Sequence, residues 1–217
     1  YNKRPFADVA EMNQTLMKNW NRVVAPSDTV YHIGDLSILR PEKTREILDS
    51  LNGKIFLIRG NHDKVAAGLD DMEGYNLVAV ASLIWTKRSL DPACLAYLSA
   101  MPRGPLEHGG GWLMHGSPVD EDLYLIQECD AKDMADDLPG PICFFGHTHR
   151  QGGFQFWGRK VKTLPQVGML HTEYVLDLSR DANYLINPGS VGQPRDGDPL
   201  SLIHISEPTR LRRISYA

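Results

Sequence analysis

Apolar positions along this chain change their period several times, and each change marks an element. Val9, Met12, Leu16, Trp20 and Val23 recur about every three to four residues, behind Asp8 and Glu11 at capping-box spacing, and predict an amphipathic helix with its apolar stripe against a sheet. Thr29 to Ile33 is instead continuous, β-branched and aromatic, and stops abruptly at Gly34-Asp35, as a buried strand running into a loop would. A second helix is predicted from near Pro41 to a stop before Gly53, with Ile47, Leu48 and Leu51 on one side. Lys54 to Ile58 is the next apolar strand, followed at once by Gly60-Asn61-His62-Asp63.

The alternation continues through the second half. Leu77 to Ser89 reads as helix, and Asp91-Pro92 supplies an N-cap and a first-turn proline for another through Leu95 and Leu98. Trp112 to Met114 is a short strand entering His115-Gly116-Ser117, and Glu121 to Leu138 is expected to be helical. Ile142 to Phe145 is a strand that breaks into Gly146-His147-Thr148-His149. Phe154 to Trp157 and Lys160 to Leu164 flank Gly158-Arg159 as a hairpin. Strands at Tyr174 to Leu178 and Tyr184 to Ile186 precede Asn187-Pro188-Gly189-Ser190. Strands and helices in alternation imply an α/β domain, where functional groups gather at the carboxyl ends of strands.

Composition narrows the classes. A chain of 217 residues, 42% of them apolar, can bury one substantial core. The formal charge of -4 leaves no global basic field for a nucleic-acid backbone. Cys94, Cys129 and Cys143 are odd in number and widely spaced, which fits neither a disulfide framework nor a CxxC metal site and points to a reducing cytoplasm. No apolar run is long enough for a membrane span, and no leader pattern opens the chain.

Four strands therefore end in Gly-Asp, Gly-Asn-His-Asp, His-Gly-Ser and Gly-His-Thr-His, each leaving oxygen or imidazole donors where an apolar run stops. Any one of them alone is more often a turn or a satisfied structural histidine. Their conjunction is what points to a ligand set, and imidazole with carboxylate suits zinc, manganese or iron better than calcium. His147 and His149, two apart in an extended segment, would lie about 6.6 Å apart on one side and reach one site. Two metals roughly 3.5 to 4 Å apart would fit if a carboxylate bridged them, and Asp35 is the candidate. Such a centre acidifies water for in-line attack on phosphorus, while His62 protonates the departing oxygen. His32, His108, His171 and His204 lack such company and are read as structural.

At these residues the sequence resembles the calcineurin-like metallophosphoesterase superfamily, whose motifs in order are DxH, GD, GNH followed by an acid, H, and GHxH. Gly34-Asp35, Gly60 to Asp63, His115 and Gly146 to His149 match all but the first, and the resemblance runs from about Val30 to Asp196. It implies a four-layer αββα sandwich of two mixed sheets. It implies two divalent transition metals, with Asp35 bridging, Asn61, His115 and His147 on one, and His149 on the other. It implies that His62 assists the phosphate and leaving group and that Asp63 orients it. Asn187 to Val191 with Gln193-Pro194-Arg195 resembles bacterial predicted phosphodiesterases and diadenosine-tetraphosphatase-like members, whereas the residues before Lys64 look like phage-type members.

No DxH precedes Asp35, so the family's first strand, with an Asp and a His of one metal site, is expected to be missing, and the last strand with it. Residues 1–200 are read as one incomplete domain, and 201–217, opening on SLIHISEPTR, as a non-native adapter-like tail. The function expected is phosphomonoesterase or phosphodiesterase action on a small, nucleotide-like phosphoester or a phosphoprotein. A scaffold binding at most one metal is the alternative from another class, although His62, which scaffolds of the family tend to lose, is present. A nuclease would need a basic groove, which Arg150, Arg159, Lys160 and Lys162 could supply in part.

Overall fold

The computed structural model describes residues 6–37, 40–165, 174–196 and 213–216. His171, His204 and the strand expected after Pro199 lie outside them. Helix α1 (Val9–Val23) starts on the expected cap: Asp8 accepts from Glu11 N at 2.8 Å, while Glu11 Oε2 reaches back past the cap to accept from Ala7 N at 2.6 Å, so the reciprocal bond of a capping box falls one residue early. It buries no residue fully; Trp20 Nε1 and Asn21 Nδ2 tie it instead to the carbonyls of Asn52 and Ser50, at 2.8 and 2.7 Å. Strand β1 (Thr29–His32), helix α2 (Pro41–Ser50) and strand β2 (Lys54–Leu57) follow, and the two strands pair in parallel with Thr29 opposite Lys54.

Helices α3 (Asn61–Ala66), α4 (Leu77–Ser89) and α5 (Pro92–Ala100) come next, with Asn76 and Asp91 capping the last two by accepting backbone N–H groups of the first turn. The Gly60–Asp63 motif therefore opens a helix rather than forming a bare loop. The helix predicted over Glu121 to Leu138 is confined to α6 (Glu128–Asp133). Its start is fixed by Asp130, whose Oδ2 accepts from Ile126 N and Gln127 N, each at 2.9 Å, so the helix opens only after Gln127.

A six-stranded mixed sheet holds the core, in the order β3 (Leu106–His108), β4 (Gly111–Leu113), β5 (Ile142–Phe144), β9 (Asn183–Asn187), β6 (Gly152–Trp157) and β7 (Lys160–Thr163). Strands β4, β5 and β9 run parallel to one another, and β6 and β7 form the predicted hairpin. The period of two divides their side chains cleanly. Cys143, Phe145, Leu185, Phe154 and Phe156 pack on one face with Ala131 and Met134 of the α6 region. Ile142, Phe144, Tyr184 and Ile186 pack on the other with Leu176 of β8 (Tyr174–Asp177). Both faces are covered, which is why these strands read as unbroken apolar runs. Strand β8 pairs antiparallel with β10 (Arg213–Tyr216), so a segment excluded from the fold in the sequence reading takes part in a ladder. Among the described residues no helix is long and apolar enough to cross a membrane.

Candidate metal centre

The carboxyl ends of β1, β2, β4 and β5 meet where the parallel pair adjoins the large sheet. Ile58 N donates to His32 O at 3.1 Å, and Gly146 N donates to His115 O at 2.7 Å. His115 Nδ1 lies 2.6 Å from Ile33 O and bridges the two sheets. Two glycines permit this approach: a Cβ on Gly34, whose φ is +90°, would stand 2.5 Å from His115 Nδ1 and 2.6 Å from Gly60 Cα, and one on Gly60 would collide with the Asp35 carboxylate.

Asp35, His115 and His147 are brought together, with one candidate ligand atom from each lying within 4.8 Å of the others. His115 Nε2 is 3.3 Å from Asp35 Oδ2 and 3.1 Å from Asn61 Oδ1. Because Ile33 O can only accept, His115 Nδ1 carries the proton there, and Nε2 faces two acceptors. Three lone pairs pointing at one another in a buried place need a proton or a cation between them. The donor set of imidazole, carboxylate and amide oxygen fits a divalent transition metal.

The electrostatics agree with that geometry. Burial alone would raise the Asp35 carboxyl, yet the His115 hydrogen bond and the surrounding histidines hold it down at about 2. Burial would lower His115, but Asp35 outweighs it and the ring is shifted upward. His147 goes the other way: burial and the charge of His115 push it down to about 4. His149 is lowered by burial and by Arg195.

The remaining predicted residues stand close by in different postures. His62 N, in the first turn of α3, donates to Asp35 Oδ1 at 3.1 Å, and its ring meets Tyr75 edge-on with centroids 5.4 Å apart. The Asp63 carboxylate does not touch the His62 ring; its Oδ2 accepts from Asp35 N and Gly60 N, each at 2.9 Å, and so ties two motif backbones together. His147 and His149 are not in an extended segment. Both have left-handed backbones, with φ of 59° and 56°, so the two-apart argument does not hold for them. His147 Nε2 lies 3.1 Å from Asp122 O, while His149 Nδ1 lies 2.8 Å from Gln193 O, outside the gathered trio.

Further residues, none of them named as a site residue from the sequence, surround the trio. Asn187, 1% exposed, donates from Nδ2 to Gly146 O and Thr148 Oγ1 at 2.8 and 2.9 Å, and Arg195 N donates to His149 O at 2.8 Å. The Asn187–Asp196 stretch thus shapes the histidine loop, a role its motif-like composition could have suggested. Glu121, 6% exposed, accepts from Arg59 Nη2 at 3.1 Å and lies 3.7 Å from Lys64 Nζ, so it joins both flanks of the Gly60–Asp63 motif to the loop after His115. Tyr75 and Asp122 contact Asn61 and His147 from loops whose course no periodicity predicts. His32, read as structural, is adjacent to the site: its Nδ1 is buried without a hydrogen-bond partner, and burial, only partly offset by Asp35, lowers the ring to about 4. His108, also read as structural, has Nδ1 2.8 Å from Tyr31 Oη. Arg159 of the suggested basic groove is paired with Asp136.

Comparison with known proteins follows the same line. A family model, the calcineurin-like phosphoesterase superfamily domain, matches residues 7–208. The chain is 56% identical over 66 residues to Uncharacterized protein MJ1445 of Methanocaldococcus jannaschii, which covers 30% of this chain and 38% of that protein. It is 31% identical over 162 residues to Uncharacterized protein MJ0912 of the same organism, covering 72% of this chain and 61% of that one. The chain thus spans less than two thirds of either relative. A crystal structure of a metallophosphoesterase from Sphaerobacter thermophilus superposes with a TM-score of 0.61 at 29% identity, over 87% of this chain and 74% of that one.

Proposed function

Because the chain belongs to the calcineurin-like phosphoesterase superfamily, we propose that it hydrolyses phosphoesters with divalent transition metals held around Asp35. The observation that carries this reading is the mutual approach of Asp35 Oδ2, Asn61 Oδ1 and His115 Nε2, three lone pairs that a cation would reconcile. Asp35, Asn61, His115 and His147 would hold one ion, and Asp35 with His149 a second. When bound, such ions supply an acidified water and neutralise phosphate oxygens. Manganese, iron and zinc all suit this donor set.

The chain's own residues do the rest in this reading. His62 hands a proton to the leaving oxygen; supporting this, its backbone is tethered to Asp35 and its ring rests on Tyr75. Asp63 acts through the backbone, since it holds the start of α3 against Asp35. The substrate class we favour is a small phosphomonoester or phosphodiester of nucleotide type. The test is release of nitrophenol from p-nitrophenyl phosphate and from its bis ester, each with manganese, iron, zinc or magnesium. Turnover of either supports the reading, and an inert chain in every metal overturns it.

A second reading is favoured by one observation: among the described residues only a single trio of potential ligands gathers. The chain would then bind one cation without turnover, as a scaffold. Metal analysis of the purified protein separates the two, with two ions per chain supporting the enzyme and one supporting the scaffold.

A further inference from the structure

Asn61 is the weak point of the proposed centre, because an amide has two nearly isosteric ends and only one can face a cation. The residue is 5% exposed, so neither end can be left to solvent. Its Nδ2 is 2.6 Å from Tyr75 Oη, and its Oδ1 is the end turned to His115. What decides between the ends lies one step further out. Tyr75 Oη is also 3.4 Å from Asp122 Oδ1, and the other Asp122 oxygen accepts from Lys64 Nζ at 2.6 Å. A carboxylate can only accept, so the tyrosyl proton is drawn to Asp122, and a lone pair of the hydroxyl is left facing Asn61. Only the amide NH₂ satisfies that lone pair. The oxygen must then turn inward.

We propose that Tyr75 is a positioning residue for the cation site: with Lys64 and Asp122 behind it, its hydroxyl orients the Asn61 amide so that oxygen, not nitrogen, faces His115 and Asp35. Tyr75 touches no ligand atom directed at the site. Partners behind a ligand commonly govern metal affinity by about 10- to 100-fold. The inference rests on the cation-site reading of the preceding subsection, and the experiment separates the two.

Manganese chloride is titrated calorimetrically into the full chain, its Y75F and N61D variants and the double variant. Phenylalanine keeps the ring against His62 and removes only the hydroxyl. Y75F is expected to weaken manganese binding by about tenfold or more. In the N61D background, where both ends are oxygens and orientation no longer matters, the same change should shift affinity by less than about twofold. An unchanged affinity in Y75F, or an equal loss in both backgrounds, overturns the role of Tyr75. Absence of manganese binding by the unaltered chain overturns the cation site itself. A measurement that needs no variant is nuclear Overhauser transfer between the Asn61 side-chain NH₂ and the Tyr75 ring: its presence supports the assigned orientation, and its absence overturns it.

Discussion

The two sides of the candidate centre are built in different ways. On the Asp35–Asn61–His115 side every group is held by other side chains or by strand ends, with His115 on Ile33 O, Asn61 on Tyr75, and Asp63 bracing Asp35 N and Gly60 N. On the His147–His149 side a left-handed loop is latched from outside, chiefly by Asn187 and by main-chain contacts of Gln193 and Arg195. Preorganised ligands lose little entropy on binding, whereas a latched loop can open locally at low cost. The contrast teaches that affinity for the first cation should reside on the strand-end side and adaptability on the loop side.

The largest expected effect tests the shared residue. Asp35→Asn should weaken manganese binding by more than about 100-fold, beyond the range for residues behind the ligands, and remove nitrophenol release; calorimetry and the ester assay check it. A variant that still binds within tenfold would break the comparison, since neither side would then depend on the carboxylate between them.

The second prediction concerns protons in the metal-free chain. His147 is depressed to about 4 from 6.5, so its contribution to stability is present above pH 6.5 and is lost as pH falls toward about 4. A shift of that size corresponds to about 3 kcal/mol. His115 is raised, so its contribution is present below pH 6.5 and is lost as pH rises through its folded value. Histidine proton resonances followed against pH in EDTA should therefore show His115 titrating above 6.5 and His147 below it. The reverse order would erase the distinction between the two sides.

Smaller effects sharpen it. Asn187→Ala leaves Gly146 O and Thr148 Oγ1 without their buried donor and should cost about 2 kcal/mol of stability in urea unfolding. His115→Ala and His149→Ala should differ in the same titration, with His115→Ala binding the first manganese roughly tenfold more weakly than His149→Ala. Equal losses would mean that the loop side is as preorganised as the strand ends.

Much of the fold was legible because local chemistry and tertiary structure agree. The capping of α1 by Asp8, the Asp91-Pro92 start of α5 and the unbroken strands β5 and β9 were all readable as patterns. So was the convergence of Asp35, His115 and His147, which follows from strands ending together. The disposition of His149 was not, because it hangs on a positive φ and on Gln193, forty-four positions away in sequence. Nor was the extent of α6, whose start is set by the Asp130 carboxylate on Ile126 N and Gln127 N. Tyr75 and Asp122 carry no periodic signal at all; long-range hydrogen bonding alone gives them their role.

The buried Asn187 bears on how such chains are inventoried. Its amide supports the histidine loop from a strand 41 residues further along, so a fragment stopping at, say, Asn183 would keep Gly34-Asp35, Gly60 to Asp63, His115 and Gly146 to His149 yet be left with an unsupported loop. Motif counting would score that fragment no lower than the whole chain, whereas its ability to capture an ion would report the missing prop.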